Sequence, residues 1–288
     1  MNNHSSLSII INSILIFLIL NVGFLNAQAS NPKIKIHYLG HSSFVLSFDN
    51  GINIVTDYGK KNAWIDWGWD SPILDIGELI PDVMTFSHEH EDHYDPLRIP
   101  KGVKYILKEV DNLSIDEIEI TPVRTCESDM NIESNTSFIF QYKGLKICHL
   151  GDAQAQIINI NDQQVKEKII NSIPQSLDLL FMTIDGTEHF IEQAADFIDI
   201  LNPKRVIPMH YWSENYLQEF LSYLETHNNL EISYKIQEYD SAVYNLYVSE
   251  IVDSTKVISL ERAFFSKTTN DEYFKRDIIT NNKKEQQQ

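Results

Sequence analysis

The sequence predicts an α/β protein with layered sheets covered by helices. Three observations predict it. Short apolar runs bounded by turn residues dominate the first half of the chain. In the second half, strand-like runs alternate with helical periodicity. The 288 residues suffice for one large domain or two small ones, with a sizeable core. A pattern of this kind places helices on the faces of sheets.

Residues 1–29 stand outside this plan. They carry no Lys, Arg, Asp or Glu, run apolar from Ile9 to about Leu20, and end in Ala27-Gln28-Ala29. The small-x-small ending predicts a secretory signal peptide, although its start lacks the usual positive charge. The apolar run is short for a spanning helix, which needs roughly 20 residues. An uncleaved anchor is the alternative. The expectation is export to the periplasm or beyond, with no stable membrane span after cleavage and a mature domain over 30–265.

The elements follow in order. "KIKIHYLGHSSFVLSF" (33–48) reads as a strand, a turn at Gly40 and a second strand. "INIVTDYG" (52–59) is a third, ending at Asp57 and Gly59. "DVMTFS" (82–87) and "KYIL" (104–107) are the next two. "SFIFQY" and "LKICHL" flank Lys143-Gly144 and predict a hairpin. "LDLLFMTID" (177–185) and "RVIPM" (205–209) are apolar enough for central strands. "ISYKIQEY" and "AVYNLYV" close the series. Helices are predicted over 154–173, over 191–201 and over 213–227. In the second, Ile191, Ala194, Ala195, Ile198 and Leu201 share one face; in the third, Ser213 suits the N-cap. The tail, 266–288, is polar without periodicity and is expected to be disordered.

Charge narrows the partners. A formal net charge of −18 argues against nucleic acid, because a polyanion is repelled by an acidic surface. A small-molecule substrate is the expectation, and a phosphorylated one stays open if a cation holds it. Nothing in the sequence specifies an oligomer. The two cysteines, Cys126 and Cys148, could pair in an exported protein. Cys148 falls in a strand-like run, where a cysteine is also a small buried apolar residue.

The chemistry concentrates in "TFSHEHEDHYD" (85–95), directly after an apolar strand. If 88–90 stays extended, His88 and His90 point the same way, and a turn brings Asp92 and His93 to the same centre. Imidazole nitrogen and carboxylate oxygen suit Zn²⁺ and related divalent metals. A solvated charged loop explains such a cluster less well, because it follows a buried strand at once.

"SHEHEDHYD" resembles the H-x-H-x-D-H signature of the metallo-β-lactamase fold superfamily. "YLGHSSFVLSFDNGINIVTDYG" resembles the opening strands of its lactonase-like and phosphodiesterase-like hydrolases. "GLKICHLGD" resembles its strand ending in a metal-bridging aspartate, and "VIPMHY" its last ligand-bearing strand. The resemblance spans roughly residues 34–260. It implies a four-layer αββα sandwich with one or two metals at one edge, Zn²⁺ first and Mn²⁺ or Fe²⁺ as alternatives. By position, His88 and His90 would bind a first metal, Asp92 and His93 a second. Asp152 would bridge them, and His210 would complete the second. Asp152 alone could instead cap a helix, and His210 could be a core histidine.

One departure stands out. The family pattern puts a histidine before the hairpin, yet none occurs between Tyr94 and Cys148. Cys126 is the nearest metal-capable residue, with Glu127 and Asp129 as weaker candidates. Cys126 is thus a ligand, a disulfide partner of Cys148, or inert. Around the ligands, Asp57 could hold the second nitrogen of a ligand histidine. His41 could orient a ligand or touch substrate, His149 could support Asp152, and His189 could face the pocket. Of His149 and Cys148, strand alternation lets only one face the core.

A bound Zn²⁺ lowers the pKa of water to about 7, supplying hydroxide at neutral pH for attack on a carbonyl carbon or a phosphorus. Asp92 would orient that nucleophile and take its proton. No Ser-His-Asp or G-x-S-x-G pattern competes. Metal-dependent hydrolysis of an ester, lactone or amide is the leading expectation. A phosphodiesterase follows, since "HEHEDHYD" resembles the phospholipase D members of the superfamily too. A degenerate metal-binding protein is third. Trp64, Trp67 and Trp69 in the loop after Asp57, with Trp212 beyond His210, would form an aromatic wall for substrate.

Overall fold

The computed structural model describes residues 33–67, 72–108, 111–126, 134–153, 167, 170–184, 188–226, 234–247 and 254–260. Fourteen strands and two long helices lie among them. The first sheet contains β1 (Lys33–Gly40), β2 (Ser43–Phe48), β3 (Asn53–Thr56), β4 (Val83–Thr85), β5 (Tyr105–Leu107) and β13 (Val243–Tyr247), in the order β13-β1-β2-β3-β4-β5. The second contains β6 (Leu113–Ile115), β7 (Ile118–Thr125), β8 (Asn135–Tyr142), β9 (Leu145–His149), β10 (Leu179–Thr183), β11 (Arg205–Met209), β12 (Tyr234–Tyr239) and β14 (Thr255–Leu260). Its order is β12-β14-β11-β10-β9-β8-β7-β6.

Each sheet is part parallel and part antiparallel. Strands β3, β4 and β5 run parallel, as do β9, β10, β11, β14 and β12. Parallel strands bring their C-terminal ends to one edge, and loops leaving that edge can gather a site.

The two sheets pack face to face. Alternation along β1 and β2 sends Ile34, Ile36, Phe44 and Leu46 inward and leaves Val45 facing out. The Phe44 ring meets Phe181 of β10 at 4.3 Å, and Phe48 meets Tyr142 of β8 at 5.1 Å. Helix α1 (Glu188–Leu201) buries Ile191, Ala194, Ala195, Ile198 and Leu201, the face its periodicity predicts. Helix α2 (Glu214–Thr226) buries Leu217, Phe220, Leu221 and Leu224. Both join the core that includes β10 and β11.

The α/β sandwich is as expected, and three details define it further. Among the described residues, the outer face of the first sheet is covered by loops, with Ile73, Ile76, Leu79 and Tyr94 packed on Val45, Val55 and Met84. Pro72, Gly77, Pro81, Pro96, Pro100 and Gly102 interrupt those connections, which keeps them from forming a long helix. Cys148 and His149 are both fully buried, because the second sheet is covered on both faces. No disulfide joins Cys126 and Cys148; both are buried, Cys126 directly after β7 and Cys148 inside β9. The signal-peptide and tail segments lie outside the described residues, as does most of the helix expected over 154–173.

Candidate metal centre

The donors sit on loops that leave five strand ends. β4 ends at Thr85 and releases the loop bearing His88, His90, Asp92 and His93. The turn in that loop closes with His93 and Tyr94 both donating backbone N–H to the His90 carbonyl, at 3.0 and 2.9 Å. β9 ends at His149 and is followed by Gly151 and Asp152. β11 ends at Met209, directly before His210. The β1–β2 turn carries His41, and β3 is followed by Asp57.

The side chains converge. His93 Nε2 lies 3.2 Å from Asp152 Oδ1 and 3.4 Å from Asp92 Oδ2. His210 Nε2 lies 3.2 Å from Asp152 Oδ1 and 3.5 Å from Asp92 Oδ2. Two donors about 2.1 Å from a common tetrahedral centre would stand about 3.4 Å apart, and these four separations are close to that. His41, Asp92, His93 and His210 form one group of candidate donors. A second group contains His88, His93 and Asp152, with His88 Nε2 3.5 Å from Asp152 Oδ2. His90 Nδ1 lies 3.1 Å from His88 Nε2 and is exposed. Asp92 Oδ1, His93 Nε2 and Asp152 Oδ1 are buried and make no hydrogen bond. Polar atoms buried without a partner are costly, and a cation would satisfy all three. On this test the residues fit a bound metal.

Charge makes the same demand. Burial disfavours charge on His93, yet Asp152, Asp92 and Asp57 outweigh it and hold its pKa well above 6.5. Burial works against the carboxylates too, but His210, His93 and His88 keep Asp152 far below the usual carboxylate range. His93, His210 and His41 do the same for Asp92, and His93 for Asp57. His93 thus sits among three carboxylates, Asp57, Asp92 and Asp152, surroundings that favour a cation. Burial, then His93, lowers His88 to about 4. Burial, then His210, lowers His41 to about 3 against the pull of Asp92.

The supporting contacts are specific. Asp57 Oδ2 accepts from His93 Nδ1 at 2.8 Å, which leaves Nε2 to face the donor cluster. Asp57 is itself held by Ser87, whose N–H and Oγ donate to its two oxygens at 2.7 Å each. Ser87 Oγ also lies 3.0 Å from His88 Nδ1. Asn135 is fully buried, accepts from Asp152 N–H at 3.0 Å and donates to the Leu150 carbonyl at 2.8 Å. Ser87 and Asn135 were not singled out from the sequence. The only signal was adjacency, a hydroxyl immediately before His88.

The other expected site residues divide. His149 donates to the Ser42 carbonyl at 2.8 Å and lies 4.0 Å from Asp57 Oδ2. Cys126 is packed in the apolar core and belongs to neither donor group. Trp212 is half-buried, with its ring 4.8 Å from His41 and 5.1 Å from His210. Trp64 is half-buried with a left-handed backbone at φ 63°. The side chains of Trp67 and His189, and all of Trp69, Glu127 and Asp129, lie outside the described residues.

Comparison with known proteins points one way. A model of the beta-lactamase superfamily domain matches residues 35–210. A UPF0173 metal-dependent hydrolase of Pyrococcus furiosus is 29% identical over 216 residues, spanning 62% of this chain and 84% of its own. Another, from Thermococcus onnurineus, is 25% identical over 213 residues, spanning 62% and 84%. A crystal structure of a possible metal-dependent hydrolase from Veillonella parvula is similar in fold, with a TM-score of 0.52 at 12% identity, covering 75% of this chain and 99% of its own.

Proposed function

The chain belongs to the metallo-β-lactamase superfamily, and on that premise we propose that it is a metal-dependent hydrolase of an ester, lactone or amide bond in a small molecule. The observation that carries the reading is the approach of both His93 and His210 to Asp92 and Asp152 within 3.2–3.5 Å. A bound metal, zinc in this proposal, acidifies water and polarises the oxygen that gains charge.

The chain's own residues have distinct parts. Asp152 and His210 supply donors from the second sheet; Asp92 and His93 supply them from the first. His88 stands beside Asp152, with His90 next to His88, for a second ion. Asp57 holds His93 in the tautomer that presents Nε2. Asp92 Oδ1, ionised and making no hydrogen bond, accepts the proton of the attacking water and returns it to the leaving group. Trp212 walls the donor cluster beside His41 and His210 and offers an apolar face to substrate. Export is part of the proposal, supported by the uncharged apolar leader over residues 1–29.

The test is a substrate panel with the zinc-loaded full chain. Turnover of lactones, esters or amides, abolished by chelation and restored by zinc, is expected. Turnover confined to phosphodiesters would replace the bond class while keeping the metal centre. No turnover of any of them by metal-loaded protein would contradict the reading.

A further inference from the structure

His41 is a fully buried titratable group with no part in the proposed hydrolysis. It stands in the β1–β2 turn with φ 52°, and His210 follows β11 with φ 54°. Non-glycine residues avoid this left-handed region unless the surroundings enforce it. Here the two strained residues are tied together. His210 N–H donates to the His41 carbonyl at 3.0 Å, and Tyr38 Oη donates to the same oxygen at 3.1 Å. The result places the two rings 4.1 Å apart. Both reach one carboxylate oxygen: Asp92 Oδ2 lies 2.9 Å from His41 Nε2 and 3.5 Å from His210 Nε2.

His41 belongs with Asp92, His93 and His210 in one set of buried donors. Two roles are therefore open to it, direct ligand or support. The separation decides between them. His41 Nε2 lies 2.9 Å from Asp92 Oδ2, inside hydrogen-bond range and shorter than the about 3.4 Å that separates two donors of one tetrahedral ion. With its proton on Nε2, the ring donates to Asp92.

We propose that His41 is a positioning residue for Asp92, donating from Nε2 to Oδ2. The bond fixes the carboxylate with Oδ2 among the donors of the metal position and leaves Oδ1 uncommitted. The proposal rests on the metal-centre reading above and adds a residue to it.

The experiment compares wild type, His41→Gln and His41→Ala as full chains. It reads Zn²⁺ affinity by chelator competition and the visible spectrum of the Co²⁺ form. Glutamine can place an amide N–H where Nε2 sits; alanine cannot. His41→Ala is expected to loosen the metal by about 10–100-fold, with His41→Gln within about threefold of wild type. The Co²⁺ bands of His41→Gln are expected to keep their position and intensity. Equal loosening in both variants, with weaker Co²⁺ bands, would make His41 a ligand and overturn the proposal. An alanine variant matching wild type in affinity and spectrum would reduce His41 to packing and overturn it as well. If His41→Ala fails to fold, the glutamine result decides alone: wild-type affinity and spectrum support the proposal, and loss of either overturns it. A wild-type chain that binds neither ion overturns the metal-centre reading itself, a separate and recognisable outcome.

Discussion

Asp57 and His93 show how much of the centre depends on pairs. Asp57→Asn replaces the acceptor of the His93 Nδ1 proton with a group that can present an N–H instead. Metal affinity is expected to fall by about 10–100-fold with the fold intact. Chelator competition measures it, and unchanged affinity would show that His93 orients itself. The raised pKa of His93 gives a pH dependence with a definite sign. Charged His93 stabilises the metal-free fold fully below its unfolded pKa of about 6.5, and this is lost as pH rises through the raised folded value. The depressed carboxylates act the other way, and their contribution is lost only in acid. A bound cation replaces the His93 proton. The Tm gap between metal-loaded and chelated protein should therefore widen as pH rises above neutrality, and a gap that narrows would contradict this account. At this scale the clustering of the candidate donors was legible, because histidine and aspartate at ligand spacing are rare after a buried strand. Ser87 and Asn135 were not, since a serine or asparagine that only holds another group leaves no pattern of its own.

Close approaches between loops set the geometry of the elements. A Cβ on Gly59 would stand 2.2 Å from the backbone C and O of Asp92. Gly59→Ala must therefore push the ligand loop away, at a cost of about 1–3 kcal/mol in stability and with loss of metal affinity. Gly51→Ala is the control: nothing lies within 4 Å of its Cβ, so only the left-handed backbone at φ +90° resists. It should lower Tm while leaving metal affinity alone, and equal metal loss in both variants would contradict the steric argument. Most strands were legible from alternation and turn residues. β7 was not, because Pro122 lies in it. Proline is tolerated there since β6 pairs only with residues 118–120, leaving β7 at the sheet edge by position 122. β14 was passed over too, being a short run next to a polar tail. The burial of both Cys148 and His149 needed cover on both faces of the second sheet, which a single strand's pattern cannot report.

The whole molecule is a device for bringing two sheets' strand ends together. His93 and Asp92 leave the first sheet; Asp152 and His210 leave the second. Their spacing depends on the core between the sheets. Phe44→Ala removes the ring that meets Phe181 at 4.3 Å, and a buried Phe→Ala change costs about 3–5 kcal/mol. Chemical denaturation checks this, and a loss below about 1 kcal/mol would mean the sheets do not depend on that contact. The layered α/β plan was legible from the order of strand and helix patterns. The loop layer over the first sheet was not, because its proline and glycine punctuation also fits long connections between helices. The account's central claim is that one cation sits between the donors of both sheets. Anomalous diffraction from crystals of the zinc-loaded protein tests it most directly. The account predicts a peak bonded to Asp92, His93, Asp152 and His210 together; a peak away from those four side chains, or none, would contradict it.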